Sequence, residues 1–119
     1  MDIDYNSLSK EEQIEFVSKN GYNIQYINNP CLEVQLAAVN KYGTSIQFIK
    51  DPRYEIQLIA VTKNCFSIQY IDDPCYEVQL VSIQEETNRL KYEFEFIKPY
   101  ITYPDLLELL EIKILACEE

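Results

Sequence analysis

The sequence predicts an all-α fold: an α-solenoid of short helix-turn-helix repeats with an N-terminal half-repeat and a divergent helical C-terminal cap. Three observations predict it. A motif recurs three times at a spacing of 22 residues without a gap, each copy carries a proline between two apolar-patterned stretches, and only Gly21 and Gly43 supply glycine in 119 residues. A period in this range, with this much identity between copies, marks stacked supersecondary units.

The copies begin Asn23-Ile24-Gln25-Tyr26-Ile27, Ser45-Ile46-Gln47-Phe48-Ile49 and Ser67-Ile68-Gln69-Tyr70-Ile71. Each is followed by a two-residue spacer and by Pro30, Pro52 or Pro74. The second half of a unit is Glu33-Val34-Gln35-Leu36, Glu55-Ile56-Gln57-Leu58 or Glu77-Val78-Gln79-Leu80, with Val or Ile following at 39, 61 and 83. Asn23, Ser45 and Ser67 are expected to cap a short first helix. Asn29, Asp51 and Asp73 are expected to cap the second, with the prolines in its first turn, where no amide hydrogen is needed. On a helical wheel Leu32, Leu36 and Val39 form one flank, Val34 and Ala38 another, with Glu33 and Gln35 between them. The alternation Tyr54-Glu55-Ile56-Gln57-Leu58 also suits a strand, but the Asp-Pro starts and the lack of hairpin glycines favour helices.

The same phase extends beyond the three copies. Glu11, Gln13, Ile14 and Val17 match the second half of a unit, and Ser9 with Glu12 forms a capping box in front of them. Tyr100-Ile101-Thr102-Tyr103-Pro104 resembles Tyr70-Ile71-Asp72-Asp73-Pro74, but eight extra residues intervene. In the last segment Ile83, Leu90, Phe94, Ile97 and Ile101 recur at three- and four-residue steps, as do Leu106, Leu107, Leu110 and Ile114. The expected organisation is one domain, 1–119, comprising an N-terminal cap over 1–22, three repeats over 23–83 and a helical cap over 84–119. Solenoid ends must differ from regular units, which would expose a stacking face.

Composition narrows the chemistry. Twenty acids against ten bases give a net charge of −10, and there is no His and no Trp. A histidine-dependent triad and an ordinary catalytic zinc site are therefore excluded, and two isolated glycines cannot write a phosphate-binding loop. The acids are spread along the chain without a basic stripe, so direct binding of nucleic acid is not expected. A basic protein surface is the better partner. Cys31, Cys65, Cys75 and Cys117 match no metal or redox spacing and are expected as thiols of a reducing compartment. No apolar run approaches the roughly 20 residues of a membrane span, and the N-terminus is acidic where a signal peptide is basic. A soluble cytoplasmic protein without cofactor or metal is the expectation.

The consensus SIQ[YF]I-xx-P-xx-E[VI]QL-xx-V-xx-N resembles the short helical-hairpin, loosely HEAT-like repeats of bacterial, phage and giant-virus proteins. The resemblance covers residues 11–83, Gln25, Gln35, Gln47, Gln57, Gln69 and Gln79 matching its glutamines. It implies an α-solenoid and a mobile-element origin. It implies no reaction.

Residues that repeat serve the fold, so the glutamines are expected to tie turns together through side-chain to backbone hydrogen bonds. Tyr26, Phe48 and Tyr70, at one repeat position, are expected in the core; a base-stacking role would also need flanking cations, which are expected to be absent. Residues that vary between units are the candidates for function. Asp51, Arg53, Tyr54, Asp72, Asp73 and Tyr76 should line up near the starts of the second helices, on a surface that turns acidic toward the third unit. Tyr54 and Tyr76 are either interface anchors or half-buried in the stack. Glu85, Glu86, Glu93 and Glu95 form a second acidic group, and the spacing of 93 and 95 does not make a catalytic pair. The expected function is a non-enzymatic protein-protein interaction module. Its sharpest version is a small phage or mobile-element inhibitor that blocks a basic, nucleic-acid-handling site on a host defence or regulatory protein, in the manner of an anti-CRISPR or anti-restriction DNA mimic. The alternative is a plain adaptor whose acidity serves solubility. A homodimer through residues 84–119 is left open.

Overall fold

In the computed structural model, which describes residues 3–84 and 91–117, the described residues are helical and include no strand. Six α-helices carry the fold: α1 Lys10–Lys19, α2 Leu32–Lys41, α3 Tyr54–Lys63, α4 Tyr76–Ile83, α5 Lys91–Ile97 and α6 Pro104–Ala116. Short 3₁₀ helices alternate with the first four, at Tyr5–Ser7, Gly21–Tyr26, Gly43–Phe48 and Cys65–Tyr70, and a fifth, Lys98–Tyr100, joins α5 to α6. Helices α1, α2, α3 and α4 pack each on the next, and the 3₁₀ segments pack on one another beside them. The molecule is elongated, 54 × 25 × 20 Å.

The expected short first helix of each unit is a 3₁₀ helix, and the reason is its apolar spacing. Gly21, Ile24 and Ile27 are all buried and stand three residues apart, as do Gly43, Ile46 and Ile49, and Cys65, Ile68 and Ile71. A helix of three residues per turn aligns such positions on one edge. Its N-caps are Asn20, Tyr42 and Asn64, so the expectation for Asn23, Ser45 and Ser67 is corrected by one turn. Asn20 and Asn64 accept from the amides of Tyr22 and Phe66, each at 2.9 Å. The same three-residue period turns Tyr26, Phe48 and Tyr70 outward. They are 53%, 37% and 39% exposed, not core residues.

The spacer is also corrected. Asn29, Asp51 and Asp73 are not helix caps but the chain's three non-glycine residues of positive φ among those described, at 50°, 48° and 47°. Asn and Asp tolerate this left-handed turn better than other side chains. The prolines follow as extended linkers, and Cys31, Arg53 and Cys75 become the N-caps, none with a side-chain cap bond. The capping box is present as expected, with Glu12 N–H donating to Ser9 Oγ at 3.1 Å and Ser9 N–H to Glu12 Oε1 at 3.0 Å.

The core runs the length of the stack. Helices α2, α3 and α4 each bury residues at steps of four and five: Val34, Ala38 and Val39; Ile56, Ala60 and Val61; Val78, Ser82 and Ile83. Leu32, Leu36, Leu58 and Leu80 pack against them half-buried. Phe94, Ile97, Ile101, Leu106 and Leu110 continue the core through α5 and α6, while Leu90 lies outside the described residues.

Gly21 and Gly43 are needed for close approach, since neither has positive φ. A Cβ on Gly21 would collide with the Ala38 carbonyl and Ser45 Oγ, and one on Gly43 with the Ala60 carbonyl. Small residues thus let the start of each 3₁₀ helix sit against a carbonyl of the α-helix that follows it and against the serine of the next 3₁₀ helix. Ser45 and Ser67, fully buried in this seam, have hydroxyls without a hydrogen-bond partner. At the third position of the series stands Cys65, which is also buried.

Candidate functional site

The glutamines do what repetition suggested. Gln35, Gln57 and Gln79 each donate through Nε2 to the carbonyl of the proline five residues before, at 2.9, 3.0 and 2.9 Å. Gln25, Gln47 and Gln69 donate to the carbonyls three residues before, each at 3.0 Å. The bonds of Gln35, Gln57 and Gln79 hold each link against its helix and so fix one edge of the molecule, where Asn29, Asp51 and Asp73 are exposed.

Six of the ten candidate residues come together on that edge. Asp51, Asp72 and Asp73 are exposed in the links, Arg53 caps α3, and Tyr54 and Tyr76 open α3 and α4. The tyrosines are 41% and 38% exposed. Each spans a junction: the Tyr54 hydroxyl donates to Glu77 of the next helix, and the Tyr76 hydroxyl to Asp105 of α6 at 2.6 Å. Tyr76 also sits edge-on to Tyr103, centroids 5.0 Å apart. At the first junction an ion pair takes this place, Lys10 to Glu33 at 3.9 Å. The hydrogen bond to Glu77, then desolvation and the carboxylate's charge, push the Tyr54 phenol up to about 12, and Asp105 raises Tyr76 likewise. Glu33 is lowered, first by its own backbone N–H, then by Cys31 and the Lys10 charge.

Two grooves lie along the same edge. The first, about 610 Å³, is lined by Asn28, Asn29 and Pro30 of one link, by Gln35, and by Phe48 and Lys50 of the next unit. The second, about 530 Å³, repeats it one unit on, between Asp51, Pro52 and Gln57 on one side and Tyr70 and Asp72 on the other. At the fourth junction Gln79 fills the corresponding place. It accepts from Thr102 N–H at 2.7 Å and donates to Thr102 Oγ1 at 2.9 Å.

Of the second acidic group, Glu95 lies away from this edge. Glu95 pairs with Lys91 at 3.8 Å and lines a separate aromatic groove of about 690 Å³ with Tyr22, Phe66, Tyr92 and Phe96. Glu93 is half-buried on α5, and Glu85 and Glu86 lie outside the described residues.

A charge pattern with the same 22-residue step escaped the sequence reading. Lys19, Lys41 and Lys63 close α1, α2 and α3, opposite the edge where Glu33, Glu55 and Glu77 open α2, α3 and α4. Acids at helix N-termini and cations at C-termini complement the helix dipoles. The Lys41 ammonium sits 5.7 Å from the Tyr42 ring centroid, and Tyr42 packs on Tyr22 at 5.4 Å, so aromatics on that side do have a cation beside them. The signal was legible as a third repeated residue type, but it was averaged away when charge was summed along the chain.

Among the described residues no group of three His, Cys, Asp or Glu could hold a metal ion, and no helix is long and apolar enough to cross a membrane. No protein-family model, curated protein or solved structure matches the chain.

Proposed function

We propose that this chain is a short α-solenoid that works as a protein-binding module, its link edge taking a basic surface of a partner. The observation that carries this reading is the division of charge. Asp51, Asp72 and Asp73 and the first-turn acids Glu55 and Glu77 share one edge, while Lys19, Lys41 and Lys63 are held at the other helix ends. Lys50 and Arg53 temper the acidity in the second unit, so the third unit, with Asp72, Asp73, Glu77 and nearby Asp105, is its strongest part. Exposed acids of this kind steer a basic partner and reject acidic ones. The sharper version is an inhibitor from a phage or mobile element that occupies a nucleic-acid-handling site of a host protein, as a DNA mimic does. Strong net acidity and the edge chemistry support it.

The test is affinity capture from bacterial lysate, with eluates read by mass spectrometry at low and high salt. The wild type should retain a basic protein that is released at high salt. The triple variant Asp51→Asn, Asp72→Asn, Asp73→Asn should lose at least tenfold of it, and Lys19→Gln, Lys41→Gln, Lys63→Gln should not. Asn is chosen because it keeps the left-handed turn at 51 and 73. A partner held equally by the acidic-edge variant, or one indifferent to salt, would overturn the charge reading in favour of an adaptor.

A further inference from the structure

The two link-edge grooves have a periodicity that points to one kind of occupant. Each is walled by an exposed aromatic ring of the following unit, Phe48 or Tyr70, and a third ring, Tyr26, stands one unit earlier. Each also presents one backbone N–H at the same repeat position, that of Lys50 or Asp72. At the flanking junctions the equivalent N–H is already taken: Asn28 donates to Asn6 Oδ1 at 2.6 Å, and Thr102 to Gln79 Oε1 at 2.7 Å. Among the described residues the Lys50 and Asp72 amides have no protein acceptor, and neither do the carboxamide oxygens of Gln35 and Gln57 have a donor. The middle of the stack therefore repeats an aromatic wall, a donor and an acceptor, once per unit.

Packed helices stand about 8–10 Å apart. A polyproline II strand rises 3.1 Å per residue with three residues per turn, so it repeats every ~9.3 Å, and its carbonyls make no internal hydrogen bonds. No other regular peptide conformation matches the unit spacing in this way. An extended β-strand repeats a given face every two residues, about 6.6–6.8 Å. Proline rings against aromatic walls are a general means of recognising such segments.

We propose that the link edge binds a proline-rich polyproline II segment of its partner, carrying Arg or Lys. Successive turns place one proline in each groove, against Phe48 and Tyr70. The free carbonyls accept from the Lys50 and Asp72 amides, and an intervening non-proline N–H donates to the Gln35 or Gln57 carboxamide. Asp72 and Asp73 take the basic side chain at the third-unit end. The basic residue rests on the acidic-edge reading above, and the proline spacing does not.

Three fluorescein-labelled peptides of equal length separate the two ideas by fluorescence anisotropy on the full chain: proline-rich with two Arg, proline-rich without charge, and Gly/Ser-rich with two Arg. The proposal expects the first to bind at least tenfold more tightly than the third, with Phe48→Ala and Tyr70→Ala each costing fivefold or more. Tyr92→Ala, in the separate groove, should cost nothing. Circular dichroism melts confirm folding, and Tyr70→Leu keeps the apolar bulk while removing the ring. Equal binding of the first and third peptides would overturn the groove proposal and leave the acidic edge standing. Equal binding of the first and second would support the groove and count against the acidic edge. No binding of either proline-rich peptide at millimolar concentration, or binding insensitive to Phe48 and Tyr70, would overturn the groove proposal.

Discussion

Individual side chains in this protein are asked to satisfy two neighbours at once, and the cost shows where one is missing. Ser45 and Ser67 bury a hydroxyl that bonds to nothing, chosen for size in a seam where Gly21 and Gly43 already remove every possible atom. Ser67→Ala should be neutral or stabilising by up to about 1 kcal/mol, because an unpaired buried polar group is lost without adding volume. Gly43→Ala should cost about 1–3 kcal/mol, since its methyl meets a carbonyl of α3 that cannot move far. Urea unfolding of the two variants checks both signs. Tyr54 and Tyr76 offer a second measurement at this scale. A phenol whose folded value lies above its unfolded one stabilises the fold while protonated, and that contribution is intact below pH 10 and lost as pH climbs through the folded value, about 12 for Tyr54. Titration of the phenolate absorbance should show late ionisation from Tyr54 and Tyr76, and Tyr54→Phe should remove one late-ionising phenol. A late end of the titration left unchanged by Tyr54→Phe would show that this junction bond is not made in solution.

The elements explain what could and could not be read from the residues. The second helix of each unit was legible because Val34, Ile56 and Val78, with Ala38, Ala60 and Ser82, repeat one buried stripe over enough turns to declare its period. The first was legible as helical but not as 3₁₀, because two isoleucines three apart in a six-residue run fit either geometry. Asp51 and Asp73 were misplaced because Asp before Pro suits both a helix start and a left-handed turn. The two differ in where the link runs, and so in which face carries the site. That placement can be tested directly: Asp73→Asn should be nearly neutral and Asp73→Thr should cost about 1–2 kcal/mol, because a β-branched residue is strained at positive φ whereas a helix N-cap accepts Thr. The glutamines were read correctly as structural. Their unequal value was not legible, since the partner of Gln79 lies beyond the eight-residue insertion. Gln79 is 1% exposed and bonds to Pro74 and twice to Thr102, whereas Gln57 bonds to Pro52 alone. Gln79→Ala should therefore cost about 2–3 kcal/mol and Gln57→Ala about 1 kcal/mol, measured as shifts in unfolding midpoint. The tyrosine junction bonds had no short-range sequence signal, because their partners are 23 and 29 residues away.

At the scale of the molecule, a 54 Å stack whose helices touch mainly their immediate neighbours has no single centre to unfold around. Stability then accumulates by nearest-neighbour contact, and the middle is protected by both sides. Hydrogen exchange should be slowest in α2 and α3 and faster toward α1 and α6, and uniform protection would show a single cooperative core instead. The same dependence on neighbours gives Cys65 a meaning that its chemistry does not. It occupies the register of Gly21 and Gly43, so the interlocking that lets one unit receive the next is withdrawn after the third. Duplicating residues 43–64 in place would give every new junction its glycine and serine, whereas adding a unit after residue 66 would place a thiol at that register. Growth of such a protein by tandem duplication is thereby open in its interior and closed at its end. The number of grooves on its edge is tied to the residue that stands at this one register.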